Sequence, residues 1–100
     1  GMMDGAVEHH VLEVYVTGGC PGCDVARELV ANVRVLALSG IKTRLIDLDA
    51  PGAQRPLAVF AVPTYLLDGR VVSLGNPDQT WLVRRLEGVA NTADAVSGPT

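Results

Sequence analysis

The only two cysteines of the 100-residue chain lie three positions apart, in the stretch T-G-G-C-P-G-C at residues 17–23. Thiols at this spacing can exchange electrons with a disulfide, supply two ligands to a metal ion, or close a short structural loop. The elements that carry Cys20 and Cys23 therefore decide which of these chemistries is favoured.

The cysteines are predicted to follow a strand and to begin a helix. Residues 11–16 (V-L-E-V-Y-V) run into two glycines, which is typical of a strand followed by a turn. Residues 21–38 have a proline in the first helical turn and apolar residues every three or four positions, and a Ser-Gly pair follows them, so they predict a helix. The apolar face of this helix is expected to consist of Val25, Ala26, Leu29, Val30, Val33, Leu36 and Ala37.

This position favours redox chemistry at the cysteine pair. The first N–H groups of a helix have no internal partner and carry the positive end of its dipole, so they stabilise a thiolate, which is the reactive species. Pro21 fixes the first φ angle, and Gly22 adds no side chain that would cover the sulfurs. We expect Cys20 to attack a disulfide and Cys23 to resolve the mixed disulfide that results.

Three other interpretations of the pair are weaker. A structural disulfide would close a loop of only four residues and contribute only about 2 kcal/mol in the chain-entropy model. A structural zinc site needs four ligands, and adjacent residues such as His9 and His10 point in opposite directions in extended backbone. Chemically inert thiols are the third alternative. We predict no metal site.

The rest of the chain predicts further α/β elements. Residues 41–48 read as a strand parallel to the first, because a helical crossover separates the two. Residues 53–61 are expected to form a short helix, limited by Pro56. The segments 64–67 and 70–74 flank Asp-Gly and predict an antiparallel hairpin. A last helix is expected to begin at Asn76 as its cap, with Pro77 in its first turn.

Composition indicates one globular domain and restricts its partners. Hydrophobic residues make up 48% of the chain and charged residues 19%, which is typical of a folded protein. The net charge of −3, with no basic cluster, argues against nucleic acid or an anionic membrane as partner. No apolar run approaches the roughly 18 residues of a membrane span. Without a recognisable secretion signal, we expect a cytoplasmic location and a monomer.

The motif C-P-G-C at a strand-to-helix turn, together with Val62-Pro63-Thr64 at the start of a later strand, resembles the thioredoxin/glutaredoxin family. The similarity covers about residues 11–89. It implies an α/β, thioredoxin-like fold in which a mixed four-stranded sheet has helices on both faces, in the order β-α-β-α-β-β-α. The domain would span residues 11–90, between a flexible N-terminal segment at 1–10 and a flexible C-terminal tail at 91–100.

The resemblance also implies a substrate site around the cysteines. Pro63 would be a cis-proline beside the sulfurs, and Val62 would present backbone groups to an extended substrate peptide. Gly75 would lie in a turn near the rim of the site. The expected substrate-binding residues are Gly19, Pro21, Gly22, Val62, Pro63, Thr64 and Gly75.

The chain departs from both branches of the family. Gly19 stands where thioredoxins have Trp, and Val14 stands where they have a buried Asp. The motif lacks the Tyr of the glutaredoxin C-P-Y-C, and no Lys or Arg lies between Val11 and Cys20. The turn at residues 75–78 matches the glutathione-site pattern only loosely.

The expected function is that of a small thiol–disulfide oxidoreductase acting on disulfides of a protein partner. It would need no cofactor, because the cysteines carry the electrons, and its donor would be thioredoxin reductase or a glutathione-type thiol. The alternatives are a glutaredoxin-type reductase of glutathione mixed disulfides and a redox-silent binding module with the same fold.

Overall fold

The computed structural model describes residues 9–97 of the chain. Four strands and two helices follow one another as β1 (His10–Val16), α1 (Pro21–Leu36), β2 (Ile41–Asp47), β3 (Thr64–Leu67), β4 (Arg70–Leu74) and α2 (Gln79–Ser97). Residues 1–8 of the predicted N-terminal segment and residues 98–100 of the predicted tail lie outside the described residues. No helix in the described part is long and apolar enough to cross a membrane.

The strands form a single mixed sheet in the order β2-β1-β3-β4. β1 and β2 are parallel and joined through α1, while β3 is antiparallel to both β1 and β4. The β3–β4 turn contains Asp68 and Gly69 with φ angles of 52° and 85°, the positive values that a type I′ turn requires. The predicted α/β class, the mixed sheet and the hairpin are confirmed.

The main core lies between the two helices and one face of the sheet. Alternate residues of a strand point to the same face, and Leu12, Val14 and Val16 of β1 pack in this core. α1 contributes Cys23, Ala26, Leu29, Val30 and Val33, and α2 contributes Leu82 and Leu86. The helix that carries the cysteines is thereby fixed to the central strand through five of its own residues.

The other face of the sheet has no helix over it within residues 9–97, and here the prediction of helices on both faces was wrong. The predicted helix at residues 53–61 is a run of turns and irregular backbone. Pro56 lacks an N–H donor, and a proline within a helix clashes with the preceding turn. Val59 is the one buried residue of this segment, and it packs with Tyr15 and Leu66 in a small second cluster.

Several predicted element ends were also wrong. α1 ends at Leu36 because Ala37 is left-handed, with a φ of 49°, and its N–H bonds back to the Arg34 carbonyl. α2 continues to Ser97, well into the predicted tail, since no proline occurs between Pro77 and Pro99. It begins at Gln79 rather than at Asn76, and Asp78 accepts a hydrogen bond from the Trp81 N–H as the cap.

The expected apolar face of α1 is confirmed in part, since Ala26, Leu29, Val30 and Val33 are buried. Val25 and Leu36 were expected on this face but are 47% and 49% exposed, whereas Cys23 was not expected there and is fully buried. The buried face therefore includes the second cysteine. This arrangement directs Cys23 into the core.

Candidate functional site

The two cysteines occupy different environments at the start of α1. Cys20 is the N-cap of the helix, with an extended backbone at φ −114° and ψ 112°, and it is half-buried. Cys23 lies in the first turn and is fully buried. The two sulfurs form a disulfide across a Cα–Cα separation of 5.1 Å. A partner approaching from solvent would therefore meet Cys20 before Cys23.

Each sulfur accepts a hydrogen bond from a backbone N–H. The Cys23 N–H donates to Cys20 Sγ at 3.1 Å, and the Thr17 N–H donates to Cys23 Sγ at 3.4 Å. Hydrogen bonds to a charged acceptor are stronger than those to a neutral one, so both contacts favour the thiolate when the disulfide is reduced. The first bond comes from the helix N-terminus and the second from the end of β1.

The loop between β1 and α1 is held by side chains from neighbouring elements. The Gly18 N–H donates to Asp49 Oδ2 at 2.7 Å, which ties the loop to the segment after β2. Arg27 donates to the Thr17 carbonyl at 3.3 Å and forms an ion pair with Asp24 at 3.2 Å. These contacts fix the backbone directly ahead of Cys20.

The segment before β3 lies against the cysteine loop. The Val62–Pro63 peptide bond is cis, as the family resemblance implies. A Cβ added to Gly22 would lie 3.4 Å from Pro63 Cδ, so the proline ring packs directly on the backbone between the two cysteines. The Gly75 N–H donates to the Pro63 carbonyl at 2.8 Å, which connects the turn after β4 to the same place.

The structure brings most of the predicted site residues together at the end of the sheet where β1 stops and β3 starts. Gly19, Cys20, Pro21, Gly22 and Cys23 lie in the loop and first turn of α1; the Pro63 ring packs on Gly22, and Gly75 is hydrogen-bonded to Pro63. Thr64 is an exception: it is fully buried, and its hydroxyl donates to the Ala61 carbonyl. It therefore shapes the backbone ahead of Pro63 and does not face a substrate.

Two residues at the site were not expected from the sequence. Asn76 Nδ2 donates to the Gly22 carbonyl at 2.8 Å, and the Tyr65 hydroxyl donates to Asn76 Oδ1 at 2.7 Å. Burial raises the pKa of Tyr65 to about 12, so its hydroxyl remains a donor over the working pH range. Because Asp78 caps α2 in place of Asn76, the Asn76 side chain makes these contacts instead.

A metal site at the cysteine pair would need further ligands from other residues. Within residues 9–97 no group of three His, Cys, Asp or Glu side chains is arranged to hold a metal ion. His10 is not part of a terminal extension but belongs to β1, where its Nδ1 lies 2.6 Å from Asp68 Oδ2 in the β3–β4 turn. That pairing joins the start of β1 to the hairpin.

No protein-family model matches the chain, and no curated protein matches it. The functional interpretation therefore depends on the geometry of the cysteine pair and its neighbours.

Proposed function

We propose that the protein is a thioredoxin-like thiol–disulfide oxidoreductase that exchanges electrons with disulfides of a protein partner. The observation that carries the proposal is the position of Cys20: it caps α1, receives the Cys23 N–H on its sulfur and is more exposed than Cys23. The packing of Pro63 against the backbone between the cysteines adds support.

The exchange would proceed in two balanced steps. The Cys20 thiolate attacks one sulfur of the substrate disulfide, a mixed disulfide forms, and the other substrate sulfur leaves as a thiolate that takes up a proton. Cys23 then loses its proton and attacks Cys20 Sγ, which releases the second substrate sulfur. Two electrons and two protons pass to the substrate, and the Cys20–Cys23 disulfide remains. A flavin-dependent thioredoxin reductase or a glutathione-type thiol would restore the dithiol.

Backbone groups next to Pro63 support a polypeptide substrate. No backbone–backbone hydrogen bond within residues 9–97 uses the N–H or the C=O of Val62. An extended segment of a partner could pair with these groups as a short strand does, beside the sulfurs. Phe60, three positions before Pro63, is 71% exposed and adds apolar surface to the same segment. In this proposal the protein acts as a cytoplasmic monomer, in a compartment where free thiols persist.

The proposal is tested with single serine substitutions and a disulfide-containing model protein as substrate. Cys20→Ser should abolish reduction of the substrate, because the nucleophile is lost. Cys23→Ser should accumulate a covalent complex with the substrate that dithiothreitol dissolves, because no thiol resolves it. If Cys20→Ser retains full activity, the assignment of roles is wrong.

A measurement of reduction potential separates this enzyme from the other candidates. A reversible two-electron couple between roughly −270 and −120 mV supports the oxidoreductase. A protein with no such couple, or one that retains stoichiometric zinc after dialysis, would instead be a binding module. Faster reduction of a glutathione mixed disulfide than of a protein disulfide would indicate glutaredoxin-type activity.

A further inference from the structure

A chain of hydrogen bonds connects the buried Tyr65 hydroxyl to the sulfur of Cys20. Tyr65 donates to Asn76 Oδ1, and Asn76 Nδ2 donates to the Gly22 carbonyl. The Gly22 carbonyl and the Cys23 N–H belong to the same peptide group, and that N–H donates to Cys20 Sγ at 3.1 Å. We call this chain, formed by Tyr65, Asn76 and the Gly22–Cys23 peptide, the Tyr65 relay.

Every bond of the Tyr65 relay has a defined direction. If the Asn76 amide were rotated by 180°, its oxygen would face the Gly22 carbonyl oxygen, and two acceptors would lie 2.8 Å apart. The orientation with Nδ2 toward Gly22 is therefore the one that satisfies both partners. Since the Tyr65 phenol stays protonated, it donates to Asn76 Oδ1 throughout the pH range in which a cysteine thiol titrates.

Bonds arranged in series polarise one another. A donor on an amide oxygen draws electron density away from the amide nitrogen, so the N–H of that amide becomes a stronger donor, by about 10–30% per bond. In the relay this happens twice, first in the Asn76 side chain and then in the Gly22–Cys23 peptide. The series ends at the Cys23 N–H, which is shared between Cys20 Sγ at 3.1 Å and the Cys20 carbonyl at 2.9 Å.

We propose that Tyr65 and Asn76 are positioning residues that raise the reactivity of the Cys20 thiol by polarising the Gly22–Cys23 peptide. The proposal rests on the proposed function only in taking Cys20 as the nucleophile. It goes beyond that function by assigning roles to two residues, on β3 and in the turn after β4, whose hydrogen bonds reach the sulfur only through the Gly22–Cys23 peptide. The β3–β4 hairpin thereby influences the reactivity of the Cys20 thiol at the start of α1.

The test measures the pH dependence of alkylation of Cys20 by iodoacetamide in the reduced Cys23→Ser protein, where a single thiol remains. Asn76→Ala should move the midpoint of this profile upward by about 0.3 pH units. The hydrogen bond from the backbone N–H of residue 23 to the Cys20 thiolate then loses part of its strength, and the thiolate is less stabilised. Below the midpoint, the alkylation rate should fall about twofold. Tyr65→Phe should move the midpoint in the same direction by less, because it acts one bond further away.

Tyr15→Phe is the matched control. Tyr15 is also a buried sheet tyrosine, but its hydroxyl donates to Glu13 on the opposite face of the sheet, away from the relay. This variant should leave the midpoint unchanged. A merely structural role for Tyr65 and Asn76 would lower stability to denaturant without moving the midpoint, so both quantities are measured for each variant.

The outcomes separate this proposal from the proposed function. If neither Asn76→Ala nor Tyr65→Phe moves the midpoint in a folded protein, the relay is refuted, even when the parent protein reduces protein disulfides. If the midpoint moves as expected in a protein that reduces no protein disulfide, the relay holds and the proposed function fails. Should Asn76→Ala not fold, Tyr65→Phe alone decides, because it preserves the shape of the core.

Discussion

Gly19 and Gly22 lie on either side of the half-buried Cys20 and are subject to different constraints. Gly19 has a φ of 67°, in the left-handed region that strains any residue with a Cβ. Gly22 lies in the first turn of α1, where other residues are accommodated. The φ of Gly19 therefore disfavours tryptophan, or any other residue with a Cβ, at this position.

We expect Gly19→Ala and Gly22→Ala to change stability in opposite directions. Gly19→Ala should cost about 1 kcal/mol of the free energy of unfolding from backbone strain alone, since no atom lies within 4 Å of the added Cβ. Gly22→Ala should raise this free energy by about 0.5 kcal/mol, because alanine restricts the unfolded chain and the new methyl meets Pro63 Cδ at an ordinary 3.4 Å.

Urea unfolding of the two variants beside the parent protein measures both changes. Equal effects of the two substitutions would contradict the positive φ at Gly19.

The site residues that could be predicted from sequence are those whose position follows from the residues next to them in the chain. Cys20 and Cys23 follow a strand and a glycine turn, and that context admits few alternatives. Asn76 was predicted to cap the last helix, whereas its contact with Gly22 joins residues 54 positions apart. Long-range contacts of this kind depend on how the hairpin packs against α1, which local pattern does not encode.

At the scale of elements, the hairpin was predictable and the segment before it was not. Asp-Gly between two β-rich runs specifies a tight turn through its own backbone preferences. Residues 53–61 contain helix-forming residues around one proline, and their conformation depends on whether a helix there would bury enough apolar surface. Only Val59 is buried, while Leu57 and Phe60 remain exposed. The helix prediction therefore lacked the tertiary support that it needed.

The start of β1 and the β3–β4 turn form a pH-dependent connection. Burial raises the pKa of Asp68, but the hydrogen bonds from His10 and from the Val11 N–H outweigh it and hold that pKa below its ordinary value of 3.8. A carboxyl with a lowered pKa in the folded state stabilises the fold at pH values above its unfolded pKa. This contribution is lost as the pH falls through the folded pKa.

We therefore expect the stability difference between the parent protein and Asp68→Asn to depend on pH. The parent should be more stable at pH 6, and the difference should shrink as the pH falls from about 4, where the carboxyl of the unfolded chain takes up its proton, through the lower pKa of the folded carboxyl. Asn is suited to the positive φ of residue 68, so the turn itself is preserved. Thermal unfolding of both proteins from pH 6 to pH 3 measures the difference, and a constant value would contradict the role of the charge.

The molecule as a whole buries its two sheet faces unequally. One face has α1, α2 and a core that extends from Leu12 to Leu86, whereas the other has the small cluster of Tyr15, Val59 and Leu66 beneath an irregular segment. That segment leads directly into Pro63 and the site. Regions with few buried apolar contacts open at lower free energy than the rest of a protein. The segment at residues 49–62 should therefore open without global unfolding.

The substitutions Val59→Ala and Val30→Ala test this difference, because the two valines are 1% and 2% exposed and lie on opposite faces of the sheet. Both substitutions remove the same two methyl groups. Each should lower the free energy of opening the region around it by about 2 kcal/mol. In native-state hydrogen exchange followed by mass spectrometry, Val59→Ala should accelerate exchange at residues 49–62 and leave β1 nearly unchanged. Val30→Ala should instead accelerate exchange in β1 and α1, because it weakens the core that holds the whole fold. If both variants accelerate every segment equally, the chain opens as one cooperative unit, and Val62 has no more freedom than the central strand.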